Sequence, residues 1–182
     1  MAYGQNIKMV CFQLLNEHTK NNIHINNFDC GNHKINKYLK EKVFNDVNSN
    51  TFVYIDVNLD NIIAFVTLAC SSIDVCDEQS FVFVEKVSAV EIKHFAISKE
   101  YQHMKYNKSN DKTLGDILFD DIIGRIYDLT NRGIKAGKII LSSNKSAVNF
   151  FKKHSFKEFL TPSEFTTKGD GTPMYYDLFI EV

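Results

Sequence analysis

The stretch Val90-Glu91-Ile92-Lys93-His94-Phe95-Ala96-Ile97-Ser98, followed after a gap by Thr113-Leu114-Gly115-Asp116-Ile117-Leu118-Phe119, does most to limit the folds open to this chain. The first part is an apolar strand carrying one acidic side chain. The second places Leu114, Ile117, Leu118, Ile122, Ile126 and Leu129 on one face, which predicts a helix over residues 113 to 130. A strand that runs through a loop into a helix opened by a Gly suits an anionic cofactor. Free backbone N–H groups and the positive dipole end at a helix N-terminus bind phosphate oxygens.

Around this centre the chain punctuates itself. Ile7 to Leu15 reads as a first strand, and Phe28 to Asn32 as a turn in which Asp29 or Asn32 can cap the next helix. Ile35, Tyr38, Leu39 and Val43 recur at helical spacing, predicting a helix over 33 to 47 that the Asn-rich cluster 45 to 50 breaks. Thr51 to Val57 and Ile62 to Ser71 read as strands joined by a turn at 58 to 61. Phe81 to Val84 is a short apolar run before the acidic strand, Ser88 to Ile97. After the long helix, Gly133 suits a left-handed cap. Then come a strand over 138 to 143, a helix over 145 to 154, and strands over 156 to 159 and 175 to 180 flanking a turn at 169 to 173. This order predicts a mixed α+β fold, a central mixed sheet of six to seven strands flanked by helices, in one domain over 1 to 182.

No run approaches the length of a membrane-spanning helix, and the N-terminus lacks a basic flank and an apolar core, so the chain is read as cytoplasmic with no membrane association. Cys11, Cys30, Cys70 and Cys76 show no Cys-x-x-Cys spacing. They are expected to be free thiols, in preference to a disulfide framework, a metal site or a nucleophile. A net charge of −1 argues against a whole-surface nucleic-acid binder. Yet seven basic residues and no acidic one lie from Arg132 to Lys157. They form either a solvated face or a rim that attracts a phosphorylated ligand. Lys outnumbers Arg nineteen to two, which favours point-charge contacts over base-specific recognition.

The central segment resembles that of the GNAT superfamily of acyl-CoA-dependent N-acetyltransferases. In that family a Glu-Ile-x-x-x-Ala-Ile/Val strand leads into a pyrophosphate loop of pattern Gln/Arg-x-x-Gly-x-Gly/Ala. Glu91-Ile92 and Ala96-Ile97 match the strand, and Gln102 follows Ile97 at the family's spacing. Met104 and Lys105 stand where the family has Gly, and an insertion, Tyr106 to Lys112, precedes Leu114-Gly115 and is expected to be a mobile flap. Asn144-x-x-Ala147-x-x-Phe150-Phe151-Lys152-Lys153-His154-Ser155-Phe156 is similar to the family's Asn-x-x-Ala-x-x-Phe-Tyr-x-x-x-Gly-Phe. Ser155 replaces Gly, which is expected to strain the helix end. Phe151 replaces the Tyr that serves as general acid in many relatives. Phe28-Asp29-Cys30-Gly31 and Leu68-Ala69-Cys70-Ser71-Ser72-Ile73 resemble segments of toxin-type GNAT enzymes, the second at the end of the third strand.

The resemblance implies acetyl transfer from acetyl-CoA to a primary amine, with no metal. The acceptor is an aminoacyl-tRNA, a protein amine or a small amine, and a tRNA, an antitoxin and a second copy of the chain are admitted as partners. Backbone N–H groups of Phe95, Ala96 and Ile97 are implied to hold the pantetheine arm and polarise the thioester carbonyl. Gln102, His103, Met104 and Lys105, with Leu114, Gly115 and Asp116, are implied to surround the pyrophosphate, Asp116 being expected to point to solvent. Asn144 and Phe151 are implied at the thiol end. Glu91 is the candidate general base, because a Glu between Val90 and Ile92 is partly desolvated and so disposed to take up a proton. The bland alternative is a surface Glu paired with Lys93 or Lys86. His94 falls on the opposite face and is read as a core or rim histidine. Phe151 and the Gly-poor loop also admit a second reading, a catalytically weak GNAT-fold module that binds an acyl-CoA or a protein.

Overall fold

The computed structural model describes residues 10–21, 23–76, 83–107, 110–133, 135–158 and 175–182. Ile7 to Met9 of the first expected strand, Phe81 and Val82, Phe159 and the expected 169–173 turn lie outside the described residues. The strands are β1 (Val10–Leu14), β2 (Ser49–Asp56), β3 (Asn61–Cys76), β4 (Phe83–Ile97), β5 (Lys105–Asn107), β6 (Asn110–Thr113), β7 (Lys138–Asn144), β8 (Lys157–Glu158) and β9 (Tyr175–Glu181). The helices are α1 (Glu17–Lys20), α2 (His33–Lys37), α3 (Leu114–Arg132) and α4 (Val148–Lys153). Seven strands hydrogen-bond in the order β1-β2-β3-β4-β7-β9-β8, while β5 and β6 form a separate pair. This is the mixed sheet with helices that the sequence predicts. The parallel neighbours β4 and β7 are joined through α3, the long crossover that parallel strands require.

The chain divides into two compact units, Met1–Leu68 with His94–Arg125, and Ala69–Lys93 with Ile126–Val182. In the first, β1 and β2 run antiparallel from Val10 opposite Asp56 to Leu14 opposite Phe52. Phe28, Leu39, Val53 and Phe65 sit at its core, with the Phe28 and Phe65 rings edge to face at 5.3 Å. Asn32 caps α2, its Oδ1 accepting the N–H groups of Lys34 and Ile35. The helix expected over 33 to 47 is present but changes pitch. It is α-helical to Lys37, widens to a π turn over Tyr38–Lys42 and tightens to a 3₁₀ turn over Val43–Asn45. Its end is tied back, since the Tyr38 hydroxyl and the Ser49 hydroxyl both donate to Asp46 Oδ2. The α3 helix is fastened to β2 where Tyr54 OH and Arg125 Nε donate to one oxygen of Asp121, each at 2.7 Å.

In the second unit β7 pairs antiparallel with β9 along its whole length, Lys138 opposite Glu181 to Asn144 opposite Tyr175. Ile126, Ile139, Phe156 and Leu178 are buried there. Two strand boundaries differ from expectation. The 81–84 run and the 88–97 strand are one strand, β4, and the Ser-Ser-Ile segment lies inside β3 rather than at its end. Exposure hid both extensions, because Phe83 to Lys86 are exposed on both faces, leaving no burial period to read, and Lys86 reaches across to Asp74 at 3.4 Å. Gly133 also departs from expectation. Its N–H donates to the Leu129 carbonyl at 3.2 Å, and its φ lies outside the left-handed region, so α3 ends without a glycine cap.

Candidate active site

Alternation along β4 sorts its side chains. The Phe95 ring packs on Phe119 of α3 at 5.1 Å, while His94, on the opposite face, lies 4.2 Å from the Tyr38 ring and 6.5 Å from that of Phe65. His94 is thus partly buried, as the core or rim reading expected. Glu91 shares the face of Phe95 by period and is half-buried between buried Val90 and Ile92. Of the two lysines that could partner it by sequence, Lys86 is engaged by Asp74. Within the second unit, Ala89, Val90 and Glu91 of β4 stand opposite Lys138, Ile139 and Ile140 of β7, and this parallel register ends at Glu91.

Beyond Ile97 the chain makes a short 3₁₀ turn, Lys99–Tyr101, and then a bend at Gln102-His103-Met104. Ser98 N–H donates to the Ile63 carbonyl at 2.8 Å, fixing where the strand stops. His103 takes a φ of 59°, a left-handed conformation that a side chain adopts at a cost. Gln102 Nε2 donates to the carbonyls of Ile97 at 2.8 Å and Cys30 at 3.0 Å. Leu114 N–H donates to the Met104 carbonyl at 2.7 Å, so the chain leaves the loop at Met104 and rejoins it at Leu114. The insertion is therefore a closed excursion. Its described residues pair as the β5–β6 hairpin, Lys105 opposite Thr113 and Asn107 opposite Asn110, within the segment expected to be a mobile flap. Lys105 pairs with Asp111 and Lys112 with Asp120.

Asp116 does not point to solvent. It is 2% exposed and turned back on Thr113, whose N–H and hydroxyl both donate to its Oδ2, at 2.8 and 2.9 Å. Asp116 N–H in turn donates to Thr113 Oγ1 at 3.2 Å. This reciprocal pair is a capping box with Asp in the usual place of Glu, and Thr113-x-x-Asp116 was its sequence signature. With Leu114 N–H and Asp116 N–H occupied, Gly115 N–H has no protein acceptor among the described residues, and neither has His103 N–H. These two donors and the positive end of a 19-residue helix fit a phosphate, and the Asp116 carboxylate, whose charge would oppose one, is engaged by Thr113.

The remaining candidates, Asn144 and Phe151, belong to the second unit together with Glu91. Asn144 Oδ1 accepts the N–H groups of Ser146 at 3.1 Å and Ala147 at 3.0 Å, and the Ser146 hydroxyl at 2.7 Å. This Asx turn occupies residues that were expected to be helical, so α4 begins only at Val148. Phe151 is 9% exposed and lies between the rings of Phe150 at 5.2 Å and Phe156 at 6.2 Å. Helix α4 closes in a Schellman motif, with Phe156 N–H donating to the Phe151 carbonyl and Ser155 N–H to that of Lys152. Ser155 sits in its left-handed position at φ 69°, the strain expected of a Ser in place of Gly.

Of the basic run, Lys138 pairs with Glu181 at 2.9 Å and Lys152 with Glu158, while Arg132, Lys135, Lys145 and Lys157 are exposed. A cavity of about 500 Å³ in the second unit, lined by Ser88, Thr130, Lys135, Gly137 and Val182, holds none of the candidate residues. Among the described residues no group of three or more His, Cys, Asp or Glu side chains could hold a metal ion, and no helix is long and apolar enough to cross a membrane.

No protein-family model matches the chain, and no curated protein matches it in sequence. Solved structures do. A tyrosine-to-phenylalanine mutant of the toxin AtaT matches with a TM-score of 0.72 at 14% identity, covering 100% of this chain and 93% of that one. AtaTR bound with AcCoA gives 0.70 at 14% identity over 94% of this chain and 93% of that one. AtaT complexed with acetyl-methionyl-tRNAfMet gives 0.69 at 12% identity over 95% of each chain. Likeness at these identities speaks to fold, and the fold is GNAT-type, of the kind these toxins have.

Proposed function

We propose that this chain is a single-domain N-acetyltransferase that moves an acetyl group from acetyl-CoA to a primary amine, the amino group of an aminoacyl-tRNA being the acceptor best supported. The observation that carries this reading is β4 passing through the 98–104 loop into α3, with donors His103 N–H and Gly115 N–H that have no protein acceptor among the described residues. A solved AtaT complex with acetyl-methionyl-tRNAfMet supports the choice of acceptor, and the exposed cations Arg132, Lys135, Lys145 and Lys157 are suited to a phosphate backbone.

Bound acetyl-CoA supplies an acetyl group already activated as a thioester. In this reading the loop and the first turn of α3 bind its pyrophosphate, and backbone groups of Phe95, Ala96 and Ile97 orient its arm and polarise the carbonyl. Glu91 takes the proton that the acceptor ammonium must lose before its nitrogen can attack. Asn144 shapes the turn at the thiol end. Phe151, which has no proton to give, packs on the arm; the C–S bond breaks to release the thiolate, and the second proton shed by the acceptor nitrogen reaches it through water.

Calorimetry with acetyl-CoA, followed by transfer assays on charged tRNA, peptides and small amines, tests the reading. Glu91→Gln is expected to lower kcat by about 10² to 10⁴-fold with acetyl-CoA affinity unchanged. An unchanged kcat removes Glu91 from the mechanism. Failure of folded protein to bind CoA at millimolar concentration removes the reading altogether. The burial of Phe151 between the rings of Phe150 and Phe156 is the one observation that favours a weak or non-catalytic acyl-CoA-binding module; binding without turnover on any acceptor would establish that alternative.

A further inference from the structure

The Phe28-Asp29-Cys30-Gly31 turn has no part in the acetyl-transfer chemistry, yet its polar atoms converge on the 98–104 loop. Asp29 Oδ2 receives Lys99 Nζ at 2.9 Å, and the Asp29 carbonyl accepts Lys99 N–H at 2.8 Å. Asp29 Oδ1 accepts Gly31 N–H at 2.8 Å and Asn36 Nδ2 at 2.7 Å. Asn36 Oδ1 accepts Cys30 N–H at 3.0 Å, and the Cys30 carbonyl accepts Gln102 Nε2. The same Gln102 nitrogen donates to Ile97, which closes a circuit from the turn to the last residue of β4. Gly31 is required by its φ of +86°, a conformation that L side chains rarely adopt.

We infer that this turn is a latch that holds the 98–104 loop in its anion-binding shape, with Gln102 as a positioning residue and not a ligand of the cosubstrate; the inference rests on the acetyl-CoA reading. A primary amide carries two N–H donors, and both go to protein carbonyls here. What remains of the Gln102 side chain is a carbonyl oxygen, which repels phosphate. The loop also needs an external hold. His103 stands in a left-handed conformation with no glycine to relieve it, and such strain persists only where the surroundings over-determine it. Phe28, buried against Phe65, anchors the latch to the core of the first unit.

Hydrogen exchange of the Gln102, Met104 and Leu114 amides in ligand-free protein, with CoA calorimetry and steady-state kinetics alongside, tests this in Gln102→Leu, Gln102→Arg and Asn36→Leu. Both leucine variants are expected to speed exchange at these amides and to weaken CoA about tenfold, with kcat at saturating acetyl-CoA nearly unchanged. Gln102→Arg, whose guanidinium can reach two carbonyls, restores both properties. Asn36→Leu reports on the latch from a different element, so the test survives if one variant fails to fold. Unchanged exchange in the leucine variants overturns the latch. Weaker CoA with unchanged exchange makes Gln102 a direct ligand and also overturns it, as does faster exchange with CoA affinity intact. If wild type binds no CoA, the acetyltransferase reading falls and takes the role of the loop with it. The ligand-free exchange data distinguish that outcome from failure of the latch alone.

Discussion

Ser155 shows how one side chain can carry a measurable cost. It holds the left-handed position of the α4 cap, where an L side chain costs on the order of 1–2 kcal/mol and Gly costs almost nothing. Ser155→Gly is expected to stabilise the protein by about 1 kcal/mol, read as a higher urea midpoint with an unchanged slope. Phe151 poses the complementary question. Phe151→Tyr adds a hydroxyl to a ring 9% exposed between two other phenylalanines. If that hydroxyl finds no partner, the cost is about 1–3 kcal/mol. Turnover is expected to change little, since a thiolate leaves without obligatory acid help. A large gain in the side-by-side transfer assay would mean that proton donation limits the wild type, and would promote the weak-enzyme reading.

At the scale of elements, the start of α3 depends on one reciprocal pair. Thr113→Ala removes the acceptor for Asp116 N–H and leaves the buried Asp116 carboxylate with one donor fewer. A loss of about 1–2 kcal/mol in unfolding free energy is expected, together with weaker CoA binding, because the carboxylate, held by one donor fewer, can turn toward the phosphates. Chemical denaturation and calorimetry on the same sample check both. The contrast between elements also explains what could be read from the sequence. The 90–97 strand and the 114–132 helix announced themselves because burial imposes a period on their side chains. The β5–β6 hairpin did not, because its residues are polar and its extended shape comes from the partner strand. Residues 145–147 read as helix by pattern, yet the Asn144 side chain competes for the N–H groups that a helix would leave open. The Asp29–Lys99 contact joins positions 70 residues apart, and no local signal foretold it.

At the scale of the whole molecule, acidification should loosen both units. The Lys99 ammonium, with the Gly31 N–H and the Asn36 amide, holds the Asp29 carboxyl well below its ordinary value of 3.8, and Lys138 lowers that of Glu181 below 4.5. A depressed carboxyl contributes stability that is present above its ordinary value and is lost as pH falls through its folded one. Urea midpoints are therefore expected to hold near pH 6 and to fall on acidification below about pH 4, with Asp29→Asn and Glu181→Gln falling less than wild type. Both carboxylates are exposed, so high salt should shrink the difference. The division of the chain has a consequence for its birth on the ribosome. The first unit is interrupted by residues 69–93, and those residues need 126–182 for company. A nascent chain thus carries the 69–93 segment out of the exit tunnel well before its partners exist, and translation must pass residue 125 before even the earlier-emerging unit can close. Neither unit can be obtained by cutting the gene once, and a ribosome stalled before that point would display an open strand for chaperones to guard.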